Sequence, residues 1–242
     1  MIKGFRQIVG LTVLSRVLGM VRDMAFAFFL LALGGRPVAL QSQALEPPSR
    51  EAVEAAVESG ADALGFVFAD SVRRIAPASA AALATELPPG VVRVAVMRHP
   101  SQEDVDEVME HLQPEFLQTD AEDFERIRLT GPCRPLPVFR AGGARPDRLP
   151  GLLLFEGPLS GSGRVADWNE ARTIAAETRL ILAGGLRPDN VAGAMRLVRP
   201  YGLDVSSGVE SAPGIKCPSL IREFVEAVRR AERNMDFIGE AS

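Results

Sequence analysis

Leu182-Ala-Gly-Gly-Leu-Arg-Pro-Asp-Asn-Val191 and Gly202-Leu-Asp-Val-Ser-Ser-Gly-Val-Glu210 are the stretches whose reading decides how this chain folds. Each begins as a short apolar run and ends in small residues, and the first leads straight into a helix start. The pair Gly184-Gly185 lets backbone approach a ligand closely. Asp189 and Asn190 stand where a helix would begin, and the positive end of its dipole favours an anion. Ser206-Ser207-Gly208 adds hydroxyls and a further glycine turn. Two parallel strands that deliver backbone N–H groups in this way predict a phosphate cradle. In (β/α)8 barrels that cradle sits after strands seven and eight, which is where these segments fall.

Working outward, the chain alternates regularly from Ser49 onward. Ser49 can cap a helix that carries Val53, Ala56 and Val57 on one face. Strands are expected at 63–68, 91–97, 116–119, 136–139, 152–155, 180–183 and 202–205. Helices are expected at 78–87, 102–112, 168–177, 189–198 and 218–233, with a weakly marked one near 121–127. Strand–helix alternation with short loops predicts a parallel sheet covered on both faces. Seven strands are clear, and the eighth is expected from the junction 34–48, with Pro37-Val-Ala-Leu-Gln41 as its candidate. The fold class is therefore α/β, a (β/α)8 barrel over 49–242. An extra N-terminal apolar helix precedes it, and its first strand would be imperfect.

The bulk properties fit this. The chain has 242 residues, close to the roughly 250 of such barrels. Hydrophobic residues make up 47%, ample for a core. A net charge of −4 argues against a nucleic-acid partner, whose footprint would be basic. Cys133 and Cys217 have neither metal spacing nor a disulfide framework, and read as free thiols in a reducing cytoplasm. The two histidines, His99 and His111, exclude a His-rich metal centre.

Residues 1–33 are compositionally foreign to this pattern. The run 24–33 is apolar but short for a membrane span of about 20 residues. Extending it back to Ile8 buries Arg16, Arg22 and Asp23, each costing about 2.5–3.5 kcal/mol at a helix centre. The segment 8–33 is thus a candidate membrane contact and a poor span. Leu11-Thr-Val-Leu-Ser-Arg-Val-Leu-Gly-Met-Val-Arg-Asp23 resembles the start of the lipid II flippase family. An exchanged N-terminus, by genuine fusion or by a mis-joined gene, would produce that wording.

The barrel portion resembles the phosphoribosylanthranilate isomerase family over roughly 49–232. The resemblance rests on the two opening stretches together with Val198-Arg-Pro-Tyr-Gly202 and Ser211-Ala-Pro-Gly-Ile-Lys216. It also rests on Gly161-Ser-Gly-Arg-Val-Ala-Asp-Trp168 and Ser59-Gly-Ala-Asp-Ala-Leu-Gly-Phe-Val-Phe68. It implies an Amadori rearrangement in tryptophan biosynthesis: N-(5-phosphoribosyl)anthranilate, an aminoaldose, becomes an aminoketose without metal or cofactor. Such chemistry needs an acid for the ring oxygen and a base for the proton on C2.

The resemblance carries residues over with some departures. The family's acid is an aspartate at the end of strand six; here Glu156 stands there and is the candidate general acid. The family's base is a cysteine in a Lys-Ile-Cys-Gly run on strand one. Counting back from Ser59, that position falls near 41–45, where Gln-Ser-Gln-Ala-Leu offers no thiol, so the base is unassigned. Arg73 and Asp204 are the implied substrate-binding residues. Ser162, Gly163, Gly184, Gly185, Ser206, Ser207 and Gly208 are the implied phosphate-binding set. In the fourth-strand region Asp120 replaces a family histidine.

Two sister activities fit less well. An indole-glycerol-phosphate synthase needs a lysine-rich site, and Lys3 and Lys216 are the lysines of this chain. A histidine-pathway isomerase would show two similar half-barrels, which the sequence lacks. The main alternative is a non-catalytic phosphosugar-binding barrel tethered to a membrane by its N-terminal helix. The expected place is the cytoplasm, and the sequence does not set an oligomeric state.

Overall fold

The computed structural model describes residues 28–31, 50–158 and 166–239. The barrel strands are β1 (Phe28–Leu31), β2 (Ala63–Val67), β3 (Val92–Val96), β4 (Phe116–Asp120), β5 (Arg134–Arg140), β6 (Leu152–Glu156), β7 (Arg179–Leu182) and β8 (Gly202–Val205). They close into a barrel in sequence order, every neighbouring pair parallel, with β1 joining β8. Helices α1 (Arg50–Ser59), α2 (Pro77–Ala84), α3 (Gln102–Leu112), α4 (Trp168–Ala175), α5 (Val191–Val198) and α6 (Pro218–Gly239) accompany them. A 3-10 turn at Ala121–Glu125 stands where the weak helix was expected. Beyond β8 a second 3-10 turn, Ser207–Val209, leads into a small antiparallel pair, β9 (Glu210–Ala212) and β10 (Ile215–Lys216).

The pleat sorts the side chains. Successive strand residues point to opposite faces. Leu153 and Phe155 of β6 therefore join the layer under the helices, with Leu64, Leu117 and Leu203. Leu154 faces the barrel axis with Val94, Phe116, Leu136, Val138 and Ile181. Two buried layers explain why the strands read as near-continuous apolar runs. The inward set continues, two residues on, as Gln118, Asp120, Arg140, Glu156 and Asp204. The same periodicity that fills the barrel thus places its polar side chains at the C-terminal ends of the strands.

Helix ends follow local chemistry. Ser101 caps α3 in a reciprocal box with Asp104. Asp167 caps α4, accepting from the N–H groups of Asn169 and Glu170. The helix expected over 78–87 stops at Ala84, just before a turn through Pro88-Pro89-Gly90.

One expectation is corrected. The sequence pattern predicts 28–31 as part of the N-terminal apolar helix and places strand one at 37–41. Phe28–Leu31 is instead the strand that fills the gap between β2 and β8, with Phe29 opposite Ala63 and Asp204. The reason is physical. A short apolar run reads equally as buried helix or buried strand, and the open edges of β2 and β8 offer unpaired backbone groups that only a strand satisfies. The 37–41 segment, the Ser49 cap and the rest of the expected N-terminal helix lie outside the described residues. No helix among the described residues is long and apolar enough to cross a membrane.

Candidate active site

A pocket of about 260 Å³ opens at the C-terminal ends of the strands. Its wall on one side is built from the loops after β7 and β8. Gly184 and Gly185 adopt φ of +86° and +66°, a region open to glycine and strained for other residues. Asn190, the residue before α5, clasps this loop: its Nδ2 donates to Gly185 O at 2.8 Å and its Oδ1 accepts from Arg187 N–H at 2.8 Å. Gly184, Gly185, Ser206 and Ser207 line the pocket. Gly208 also brings the loops together. A Cβ there would sit 1.8 Å from Leu186 O, so the glycine lets the two loops touch. Ser162 and Gly163 lie outside the described residues.

The opposite wall is a chain of side-chain charges. Glu156 ends β6, and Arg140 ends β5 directly beside it in the sheet register. Arg140 Nη2 lies 3.1 Å from Glu156 Oε1, and its Nη1 pairs with buried Asp120 at the end of β4. His99, in the loop after β3, sits between Asp120 and Asp123, with Nε2 and Nδ1 each 3.2 Å from a carboxylate oxygen. Asp123 also accepts from Thr119 Oγ1 at 2.6 Å and pairs with Arg126. Burial alone would raise the Asp123 pKa, but these hydrogen bonds outweigh it and hold it below the usual range. Both imidazole nitrogens face carboxylates and two guanidinium groups already balance the charge. The His99–Asp120–Asp123 cluster therefore reads as a structural network.

Asp204 stands between the walls. Its side chain faces the pocket, the residue is 6% exposed, and Oδ1 has no hydrogen-bond partner among the described residues. Burial, reinforced by the charge of Glu156, pushes its pKa well above the ordinary carboxyl value against the opposing pull of Lys216. Arg73, on the loop after β2, closes the rim. Its Nε and Nη2 grip Glu210 at 2.7 and 2.8 Å. Burial would raise Glu210, but Arg73 and Lys216 overcome it and hold the carboxylate down at about 2. Lys216, on β10, is buried and bonds to Ser206 and Glu210.

Of the expected residues, the structure brings Glu156, Arg73, Asp204, Gly184, Gly185, Ser206 and Ser207 to one pocket. Sequence reasoning missed Arg140, Glu210 and Lys216. Arg140 carried a usable signal, since it follows Leu136 and Val138 at the inward period of two. The thiols lie elsewhere. Cys133 precedes β5 at the end of the barrel remote from the pocket, and burial pushes its pKa up to about 11. Cys217 follows β10, its Sγ 3.2 Å from Ser219 Oγ, a contact that lowers its pKa. Neither lines the pocket.

Fold and site together define a (β/α)8 barrel whose pocket joins glycine-shaped loops to carboxyl groups at its strand ends. Residues 46–227 match the family described as N-(5'-phosphoribosyl)anthranilate isomerase, and the chain belongs to that family. It is 36% identical over 183 residues to the N-(5'-phosphoribosyl)anthranilate isomerase of Streptococcus pneumoniae, a match that covers 75% of this chain and 92% of that one. Among solved structures it is similar to phosphoribosyl anthranilate isomerase from Thermus thermophilus, with a TM-score of 0.69 and 33% identity over 84% of this chain and 98% of that one. It is also similar to a phosphoribosyl anthranilate isomerase solved in complex with reduced 1-(o-carboxyphenylamino)-1-deoxyribulose 5-phosphate. There the TM-score is 0.62 and the identity 28%, over 84% and 98% of the two chains.

Proposed function

We propose that this chain isomerises N-(5-phosphoribosyl)anthranilate to 1-(2-carboxyphenylamino)-1-deoxyribulose 5-phosphate. The observation that carries the reading is one pocket joining glycine-shaped loops after β7 and β8 to strand-end carboxyl groups, in a chain whose family is defined by this reaction. Gly184, Gly185, Ser206 and Ser207, with Ser162 and Gly163, hold the phosphate. Arg73 takes the anthranilate carboxylate and Asp204 faces the amine. The sugar lies between them, against Glu156.

In this reading Glu156 gives its proton to the furanose ring oxygen. The C1–O bond breaks as the nitrogen lone pair forms C1=N. Loss of the proton on C2 gives an enaminol, and protonation at C1 with loss of the enol proton gives the ketone. No atom is gained or lost. The weak point is the second proton transfer, because β1 reads Phe-Phe-Leu-Leu and brings no thiol. The first-strand cysteine is missing whether the strand is counted at 28–31 or at 37–45. We therefore expect the fold and the binding loops to outlast part of the catalytic power. The cytoplasm follows from the family reading, and the flippase-like wording of 11–23 remains a reading of sequence. The comparisons favour the isomerase over a tethered, non-catalytic binder.

The test is turnover of freshly made phosphoribosylanthranilate, followed by the loss of its fluorescence. The native chain is compared with Glu156→Ala and with a version whose 28–31 strand is rebuilt to carry a cysteine. Activity that collapses in Glu156→Ala supports the reading, as does activity gained with the rebuilt strand. Silence in all three removes it.

A further inference from the structure

Lys216 takes no part in the chemistry above, yet it is one of the most buried charges of the described chain, its side chain 2% exposed. Three bonds hold its ammonium group: Ser206 O at 2.9 Å, Ser206 Oγ at 3.1 Å and Glu210 Oε1 at 2.8 Å. Glu210 in turn holds Arg73 through two parallel bonds, across 137 residues of sequence. Arg73 lines the pocket. Ser206 lines it too, on the side of the glycine loops. A single path, Ser206–Lys216–Glu210–Arg73, thus runs behind the pocket from its anion-cradling side to its guanidinium rim. Gly214 N–H adds a further bond to Glu210 at 3.2 Å and ties the β9–β10 turn into the path.

Burying an ammonium costs several kcal/mol unless it is paired, and three fixed partners leave it one orientation. Such networks are rigid when fully satisfied. We propose that Lys216 is a positioning residue that sets the spacing between the two anion-recognising ends of the pocket, so that a substrate with an anion at each end is gripped by one frame. The proposal rests on the isomerase reading for the identity of those anions, a phosphate and an aryl carboxylate. The frame itself rests on the bonds above.

The frame has a pH signature. Burial pulls the Lys216 ammonium down to about 8, against the opposing charge of Glu210. The charged groups facing it are Glu210, Arg73 and Asp204. Glu210 titrates far below this range. Raising the pH through about 8 removes the Lys216 proton, and with it the Glu210 pairing.

The experiment titrates two probes separately, inorganic phosphate and anthranilate, against the full chain and four variants. Ser206→Ala should weaken phosphate alone, and Arg73→Met anthranilate alone. Lys216→Met should weaken both, each by about tenfold or more, the scale of a lost hydrogen bond to a charge. Glu210→Gln leaves Lys216 in place and keeps the proposal testable should Lys216→Met fail to fold; it should weaken phosphate as well as anthranilate. For the native chain, anthranilate affinity should fall as pH rises through about 8, and Lys216→Met should lose that limb. Lys216→Met with both affinities within twofold of native overturns the proposal, as does Glu210→Gln that spares phosphate. Probe binding with no turnover in the native chain, in Glu156→Ala and in the rebuilt-strand chain sinks the isomerase reading and leaves the frame standing. A native chain that binds neither probe sinks both.

Discussion

The two walls of the pocket are made in different ways. The wall after β7 and β8 is a backbone structure: glycines set its shape, and Asn190 and Lys216 pin it through main-chain and hydroxyl atoms. The wall along β4, β5 and β6 is a side-chain structure, in which His99, Asp120, Arg140 and Glu156 hold one another across three strand ends. A backbone wall tolerates almost no added volume, and the charges that matter to it are those that pin it from behind. A charge wall tolerates changes of shape and fails when one member loses its partner. That difference predicts what each class of substitution will do.

The largest effect should come from the charge wall at the point of chemistry. Glu156→Gln keeps the shape and removes the proton, so kcat should fall about 10²–10⁴-fold, the usual scale for a lost general acid. Thermal stability should change little. Equal losses of kcat and stability would mean that Glu156 is a structural partner of Arg140 and not an acid. On the backbone wall, Gly208→Ala must push Leu186 O aside. Overpacking of this severity should cost about 3 kcal/mol in denaturant unfolding and weaken phosphate binding. A neutral outcome would show that the loops slide past each other freely.

The contrast between the walls also explains what could be read in advance. Gly184-Gly185 with Asn190, and Ser206-Ser207 with Gly208, are each short local strings, so each half of the backbone wall was legible on its own. The seven strands from β2 onward were legible because burial on both faces leaves an apolar run. Arg140 and Asp120 are 20 positions apart and meet only because β4 and β5 pair, with Asp120 opposite Val138. Lys216 and Arg73 are linked across most of the barrel through Glu210. No local pattern announces such pairs. Strand one failed for another reason: four apolar residues carry no period, and the slot between β2 and β8 decides their state.

Next in size is the interior of the charge wall. Arg140→Met leaves buried Asp120 with His99 as its ion partner among the described residues. Breaking a buried pair from one side costs about 3–5 kcal/mol, and the partly exposed Arg140 should fall below that, at about 2 kcal/mol. Asp120→Asn in the same chain should recover part of the loss, a coupling that a double-mutant cycle reads directly. Strict additivity would show that the two side chains do not stabilise each other.

Acid should separate the walls again. Glu210, behind the backbone wall, has its folded pKa depressed to about 2. A depressed carboxylate contributes stability above its unfolded pKa, near 4.3, and that contribution disappears as pH falls from there through about 2. The native chain should therefore lose stability steeply below about pH 4, with Glu210 supplying up to roughly 3 kcal/mol of the change at 1.36 kcal/mol per unit. Glu210→Gln should be less stable at neutral pH and flatter in acid. An unchanged acid limb would assign the loss to other carboxylates, Asp123 first among them.

The smallest effect has the opposite sign. Asp204 is a carboxyl group whose folded pKa is raised, so its contribution to stability is present below its unfolded pKa and lost as pH rises above it. At neutral pH the protein either holds a proton there or carries a buried charge, and both cost stability. Asp204→Asn keeps the size and removes the titration. It should stabilise the chain at pH 7 by on the order of 1 kcal/mol, the range in which destabilised functional positions are relieved. Its advantage should shrink as the pH falls towards 4. If Asp204 faces the substrate amine as proposed, the same variant should lose turnover, so that stability and activity move in opposite directions. A variant that is both less stable and inactive would mean that Oδ1, orphaned among the described residues, has a partner that the amide cannot replace. One that is more stable and fully active would take Asp204 out of the reaction and leave it as a strained residue of the barrel mouth.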